Sequence, residues 1–161
     1  MICAFTGHRP ERLPWGMDET DPRCLALKQM LSQKVDEAVS MGCTEFLCGM
    51  ARGCDLFFAE CVLEKRCSGM PIRLIAMLPC PEQANRWRKS LRQRYADICA
   101  ACDGVEVLEP AYTNGCMLRR NRVMVDRAQV LISVYDGGSG GTAETVRYAQ
   151  RRNRQILPVW L

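Results

Sequence analysis

Two turns in this chain carry enough glycine for the backbone itself to do chemistry. Gly137–Gly141 holds four glycines in five positions, with Ser139 among them and Thr142 next, and it runs straight into a helical pattern. Gly49-Met50-Ala51-Arg52-Gly53-Cys54-Asp55 is the second such turn. A glycine-rich turn that opens a helix presents unpaired backbone N–H groups at the positive end of the helix dipole, which suits a phosphate. Glycine also simply permits a tight strand-to-helix turn, and for Gly49 and Gly53 that role is equally expected. The richer loop, Gly138, Ser139, Gly140, Gly141 and Thr142, points to a ligand. Thr6-Gly7-His8-Arg9-Pro10 is the third candidate, and His8 is the sole histidine. His8 and Arg9 suit anion contact, or His8 caps the loop; no nucleophile lies beside it in sequence to make a hydrolytic triad. Asp55 at a helix start is either an N-cap or a hydrogen-bonding partner for ligand hydroxyls. Arg120 and Asn121 begin a further helix on the same side.

Other phosphate chemistries are excluded. No Gly-Lys dipeptide occurs, so there is no Walker A loop. Gly138-Ser-Gly-Gly-Thr-Ala143 fits GxGxxA, but no Asp or Glu follows Glu144 to hold a ribose, so an NAD fingerprint is incomplete. No cofactor is implied.

These loops need strands behind them and helices after them, and the periodicity supplies both. Apolar runs at Ile2–Thr6, Glu45–Cys48, Ile72–Leu78, Val105–Leu108, Val130–Tyr135 and Gln155–Trp160 read as strands. Between them lie helical periods. Asp21-Pro22 opens one whose Leu27, Leu31, Val35 and Ala38 share a face. Others run from Asp55 to Arg66, from Pro79-Cys-Pro81-Glu82 to about Ala101, over Leu118–Ala128, and over Gly141–Asn153. Parallel strands joined by helical crossovers give a Rossmann-like, doubly wound α/β domain spanning residues 1–161, with five to six mainly parallel strands and helices on both faces. In such a sheet, ligands bind beyond the carboxyl ends of the strands, where all the candidate loops fall.

Composition sets the outer bounds. The 161 residues are 48% hydrophobic and 25% charged, average for one globular domain. The longest apolar stretch, Ala128–Tyr135, is far short of a membrane span, so no membrane partner is expected. The start, MICAFTGHRPER, lacks a basic region followed by an apolar run, which predicts a cytoplasmic protein with reduced thiols. Eleven cysteines are present, of which Cys3, Cys43, Cys48, Cys54, Cys61 and Cys99 fall in apolar segments and read as core. Cys99 and Cys102 form the only CxxC, and with one histidine in the chain no metal site is expected. A net charge of +4 fits a phosphorylated small molecule and makes nucleic acid an unexpected partner, while self-association is compatible with the sequence. Arg86, Arg88, Lys89, Arg92 and Arg94, and Arg147, Arg151, Arg152 and Arg154, read as solvated helix faces.

The motifs together resemble the YpsA-like family of the SLOG superfamily. TGHRP follows the first strand, GMARGCD the second and PCPEQANRW the third; RRNRVMVDRAQVLISVYDG and GGTAETVRYA complete the series in the family's order across nearly the whole chain. The resemblance implies a Rossmann-like fold and binding of nucleotides or their derivatives, and a distant kinship with lonely-guy phosphoribohydrolases and DprA/Smf proteins. The lonely-guy enzymes carry PGGxGTxxE; here Gly140-Gly141-Thr142-Ala143-Glu144 has one residue between Thr and Glu and no preceding Pro. One position turns a helical side chain by about 100°, so Glu144 is expected to point away from the site. Three functions follow. The first is binding or sensing of a nucleotide-derived small molecule. The second is cleavage of an N-glycosidic bond, with Asp55, Asp126 or Glu144 as carboxylate and Arg9 or Arg120 on the phosphate-bearing fragment. The third, by analogy with DprA/Smf, is single-stranded DNA binding through the Arg86–Arg94 segment.

Overall fold

The computed structural model describes residues 1–161. Six strands alternate with five helices: β1 (Ile2–Gly7), α1 (Pro22–Ser40), β2 (Glu45–Cys48), α2 (Cys54–Cys67), β3 (Arg73–Leu78), α3 (Lys89–Ala101), β4 (Gly104–Val107), α4 (Cys116–Arg127), β5 (Val130–Tyr135), α5 (Gly141–Arg151) and β6 (Gln155–Trp160). A one-turn 3-10 helix covers Pro10–Arg12. All strand pairs are parallel, and the order is β4-β3-β2-β1-β5-β6. The chain therefore steps outward from β1 to β4, then returns to the other side of β1 with β5. That reversal between β1 and β5 is the switch point at which a crevice opens above the sheet.

Alternation along each strand builds two cores. Cys3 and Phe5 of β1, Phe46 and Cys48 of β2, Leu74, Ala76 and Leu78 of β3, and Val130, Ile132 and Val134 of β5 face one cluster of 29 buried residues. The α1 stripe Leu27, Leu31, Val35 and Ala38 and the α2 residues Leu56, Phe58 and Val62 complete it. The intervening Ala4, Leu47, Ile75, Met77 and Leu131 face a smaller cluster with Met124 and Val125 of α4 and Val146 and Ala149 of α5. Strands buried on both faces explain their nearly continuous apolar sequence. Cys3, Cys48 and Cys54 are core residues, whereas Cys61 and Cys99 are only half-buried. No helix is long and apolar enough to cross a membrane.

One element departs from the sequence reading. The third helix starts at Lys89, not at Pro81, because Gln83 turns inward and its amide donates to the Gly49 and Met50 carbonyls at 3.1 and 3.3 Å. Residues 81–87 form turns over the end of β2, and Arg86, Trp87 and Arg88 precede the helix instead of lining it.

Candidate functional site

The β1 end, the start of α4 and the start of α5 enclose a cleft of about 470 Å³ at the carboxyl edge of the sheet. Of the residues singled out in the sequence, Thr6, Gly7, His8, Arg9, Asp55, Arg120, Asn121, Gly140, Gly141, Thr142 and Glu144 line it. On one wall α5 begins with no side chain capping its first turn, and Gly140 takes φ +137°, a conformation other residues rarely adopt. Gly140, Gly141 and Thr142 line the cleft, and the first-turn amides have no partner within the helix. Asn121 is tied to the same turn: its Nδ2 donates to Thr145 Oγ1 at 3.0 Å, and Thr145 Oγ1 donates to the Gly141 carbonyl at 2.8 Å.

The floor holds two buried ionisable groups, Arg120 and Asp55, each hydrogen-bonded to other partners and not to the other. Arg120 is 3% exposed, and its Nη1 donates to the carbonyls of Gly49 and, at 3.0 Å, of Met77; its Nε donates to Asn121 Oδ1 at 2.8 Å. The guanidinium thus ties the ends of β2 and β3 to α4. A Cβ on Gly49 would lie 2.5 Å from Arg120 Cζ, so glycine is required there by close approach rather than for a ligand. Asp55, 6% exposed, accepts from the Ala51 amide at 3.1 Å. Burial pushes its carboxyl up to about 6, against the opposing pull of Arg120. Burial likewise pulls the Arg120 guanidinium down from its ordinary value, and Asp55 holds it up.

At the rim, Arg12 does what sequence did not anticipate. Its Nη2 contacts both Asp136 carboxylate oxygens at 2.9 Å, and its Nη1 donates to the Ser139 carbonyl. Asp136 also accepts from the Gly138 amide at 2.8 Å. Those bonds hold the Asp136 carboxyl well below the usual carboxylate range. His8 is 5% exposed, and its Nε2 lies 3.1 Å from both the Asp136 amide nitrogen and Oδ1. Burial lowers the imidazole below its ordinary value despite Asp136. His8 is therefore a neutral post joining the β1 and β5 loops at neutral pH. Arg9, by contrast, is exposed and meets only the Met117 sulfur, at 2.7 Å.

Several expected residues fall elsewhere. Gly138 and Ser139 are bound up with Asp136 and Arg12, outside the cleft lining, so the donor loop begins at Gly140. Gly49 packs against Arg120 and Gly53 against the His8–Pro10 segment, and neither lines the cleft. Asp126 sits in the last turn of α4, at the opposite edge of the sheet, where it accepts from Tyr148 Oη at 2.9 Å. A helix that starts at the cleft must end away from it, which the sequence reading overlooked. Glu144, expected to turn away, reaches the cleft because α5 starts at Gly141 and places it in the first turn.

A second cleft of about 340 Å³ adjoins the first through Arg9, Ala51 and Met117. Arg52, Gln83, Arg86, Trp87 and Arg88 line it. Arg94, which had been grouped with these cations, is engaged elsewhere, bonded to Glu19 and Glu60 at 2.6–3.0 Å.

The profile of the YspA SLOG family matches residues 3–157. The chain belongs to that family. Among relatives of this SLOG domain, a UPF0398 protein of Halalkalibacterium halodurans is 26% identical over 160 residues, covering 98% of this chain and 84% of the relative. A UPF0398 protein of Bacillus anthracis is 24% identical over 158 residues, covering 96% and 85%. Among solved structures, DNA processing protein A of Helicobacter pylori, described with its single-stranded DNA binding mode, superposes with TM-score 0.63 at 20% identity. DNA processing protein A of Streptococcus pneumoniae superposes with TM-score 0.65 at 15% identity. The SLOG domain covers 98% and 97% of itself in these matches but spans only 64% and 49% of those two chains. At such identities the likeness speaks for the fold.

Proposed function

We propose that the carboxyl-edge cleft binds or senses a nucleotide-derived small molecule, with its phosphate at Gly140–Thr142 and its sugar toward Asn121 and Asp55. One observation carries this reading: the uncapped first turn of α5 and the free guanidinium of Arg9 line the same cleft, at the β1/β5 switch point. A phosphate there gains backbone donors, a helix dipole and one bidentate cation without displacing an existing ion pair.

The test is a thermal-shift screen of nucleotides, followed by titration of Gly141→Asp. A ligand at a hundred times its dissociation constant stabilises by about 2.7 kcal/mol. The Gly141→Asp carboxylate would occupy the anion position, so the folded variant is expected to lose the shift. Unchanged affinity in folded Gly141→Asp protein would remove the phosphate from this position.

The adjoining cleft with Arg52, Arg86, Trp87 and Arg88 favours a second reading, a short single strand of nucleic acid with one base against Trp87. The kinship in fold with proteins that include a single-stranded DNA binder supports keeping it. Salt separates the two: a strand tracked by several arginines loses affinity steeply with salt, and a single phosphate does not.

A further inference from the structure

On the outer side of α5 lies a third concavity, a groove of about 230 Å³ between α4 and α5. Three arginines line it: Arg122 from α4, and Arg147 and Arg151 from α5. The Cζ atoms of Arg122 and Arg151 lie 5.5 and 5.6 Å from the centroid of the Tyr148 ring. The nearby acid that might have neutralised them, Asp126, is already held by Tyr148 Oη at 2.9 Å and by Arg152 Nε at 2.9 Å. The one carboxylate lining the groove, Glu144, pairs with none of the three guanidiniums, so they repel one another, and the ring only partly offsets that repulsion. A tetrahedral dianion accepting from their planar forks removes it.

The groove also shares two lining residues, Leu118 and Glu144, with the carboxyl-edge cleft. Arg147 follows Gly141 by six residues on α5, about 9 Å along the axis, and helical side chains lean back toward the N-terminus. The two anion positions are thus about one nucleotide apart. Glu144 lies between them, where it would meet the hydroxyls of a sugar and not its phosphates.

We infer that the groove of Arg122, Arg147 and Arg151 around Tyr148 is a second phosphate subsite, so that the ligand carries two separated phosphate groups and bridges Leu118 and Glu144. The bridging rests on the carboxyl-edge reading; the groove's own affinity for phosphate does not. Two sources share this chemistry, a nucleoside bisphosphate and consecutive phosphates of a strand.

NMR titrations that follow the backbone amides of Gly140–Thr142 and the arginine Nε–H signals test the inference and separate the sources. The probes are adenosine 5′-monophosphate, adenosine 3′,5′-bisphosphate and hexathymidylate. The bisphosphate is expected to shift both sets of signals, and the monophosphate only the amides. The Arg122→Gln/Arg151→Gln double variant is expected to bind the bisphosphate about tenfold more weakly or worse, and the monophosphate as before. Tighter binding of hexathymidylate than of the bisphosphate, lost in the same double variant, identifies the second phosphate as that of a strand. Arginine shifts without amide shifts would uphold the groove and overturn the carboxyl-edge reading. Silent arginine signals with every probe, or a double variant with unchanged affinities, would overturn the groove.

Discussion

Replacing Arg120 by methionine probes the floor on which the cleft is built. The replacement keeps the unbranched apolar stem but is shorter, uncharged and without the donors to the Gly49 and Met77 carbonyls and to Asn121 Oδ1. Leaving buried acceptors without their charged donor costs about 1–3 kcal/mol for each group, and three lose it here. Water entering from the adjoining cleft offsets part of this, so about 3 kcal/mol is expected at acidic pH. The loss should then grow with pH. Asp55 already has its carboxyl raised to about 6 by burial, with Arg120 opposing the rise. A carboxyl raised on folding holds protons that the unfolded chain releases, so its contribution falls as pH climbs from the unfolded value through the folded one. Without Arg120 the folded value moves higher still, and the decline continues beyond pH 6. One further unit adds about 1.4 kcal/mol. Urea unfolding at about pH 5 and about pH 8, followed by tryptophan fluorescence, measures both terms. A loss below about 1 kcal/mol, or one equal at the two pH values, would refute the assignment of Arg120 as the charged tie beneath the site.

Three further outcomes follow from the same geometry. Asp55→Asn removes the costly buried charge: relative to the parent, its stability should rise between about pH 4 and about pH 7, by about 2–3 kcal/mol, and parallel pH–stability curves would contradict the burial argument. Arg9→Ala should weaken binding of the best nucleotide from the screen by about 1.5–3 kcal/mol with Tm unchanged, since Arg9 supports nothing but the Met117 sulfur; titration calorimetry reads this directly. Trp87→Ala should leave mononucleotide affinity intact and cost an oligonucleotide about 1–3 kcal/mol, and equal losses for both would argue against separate roles for the two clefts.

The strands and most helices were legible because local pattern and tertiary burial agree. β2, β5 and β6 begin and end where their apolar runs do, and Asp21 caps α1 by accepting from the Arg23 amide at 2.8 Å. The start of α3 was not legible, since Pro81-Glu82 has the local look of a helix start. What overrides it is Gln83 reaching across to β2, a contact between residues more than thirty positions apart. The role of Arg12 was hidden for the same reason: its partner Asp136 is 124 positions away. The misplaced Asp126 is a different failure. Its distance from the cleft follows from helix length alone, and counting residues from Cys116 would have shown it.

The arginines around the cleft divide their charge in a way that bears on the ligand. Arg120 is spent on backbone carbonyls, Arg12 on Asp136, and Arg52 on Glu11 at 2.5 Å. Of the arginines lining the cleft only Arg9 meets neither an acid nor a carbonyl, and the uncapped first turn of α5 adds roughly half a positive charge. That is enough for one phosphate and too little for two. The next concentration of unneutralised cations on the α5 side is the Arg122–Arg147–Arg151 groove, on the far side of Leu118 and Glu144. A +4 net charge therefore understates the site, because pairing removes most cations from the cleft and leaves the free ones in separate places. A ligand matched to that distribution carries its negative charge in two packets rather than one.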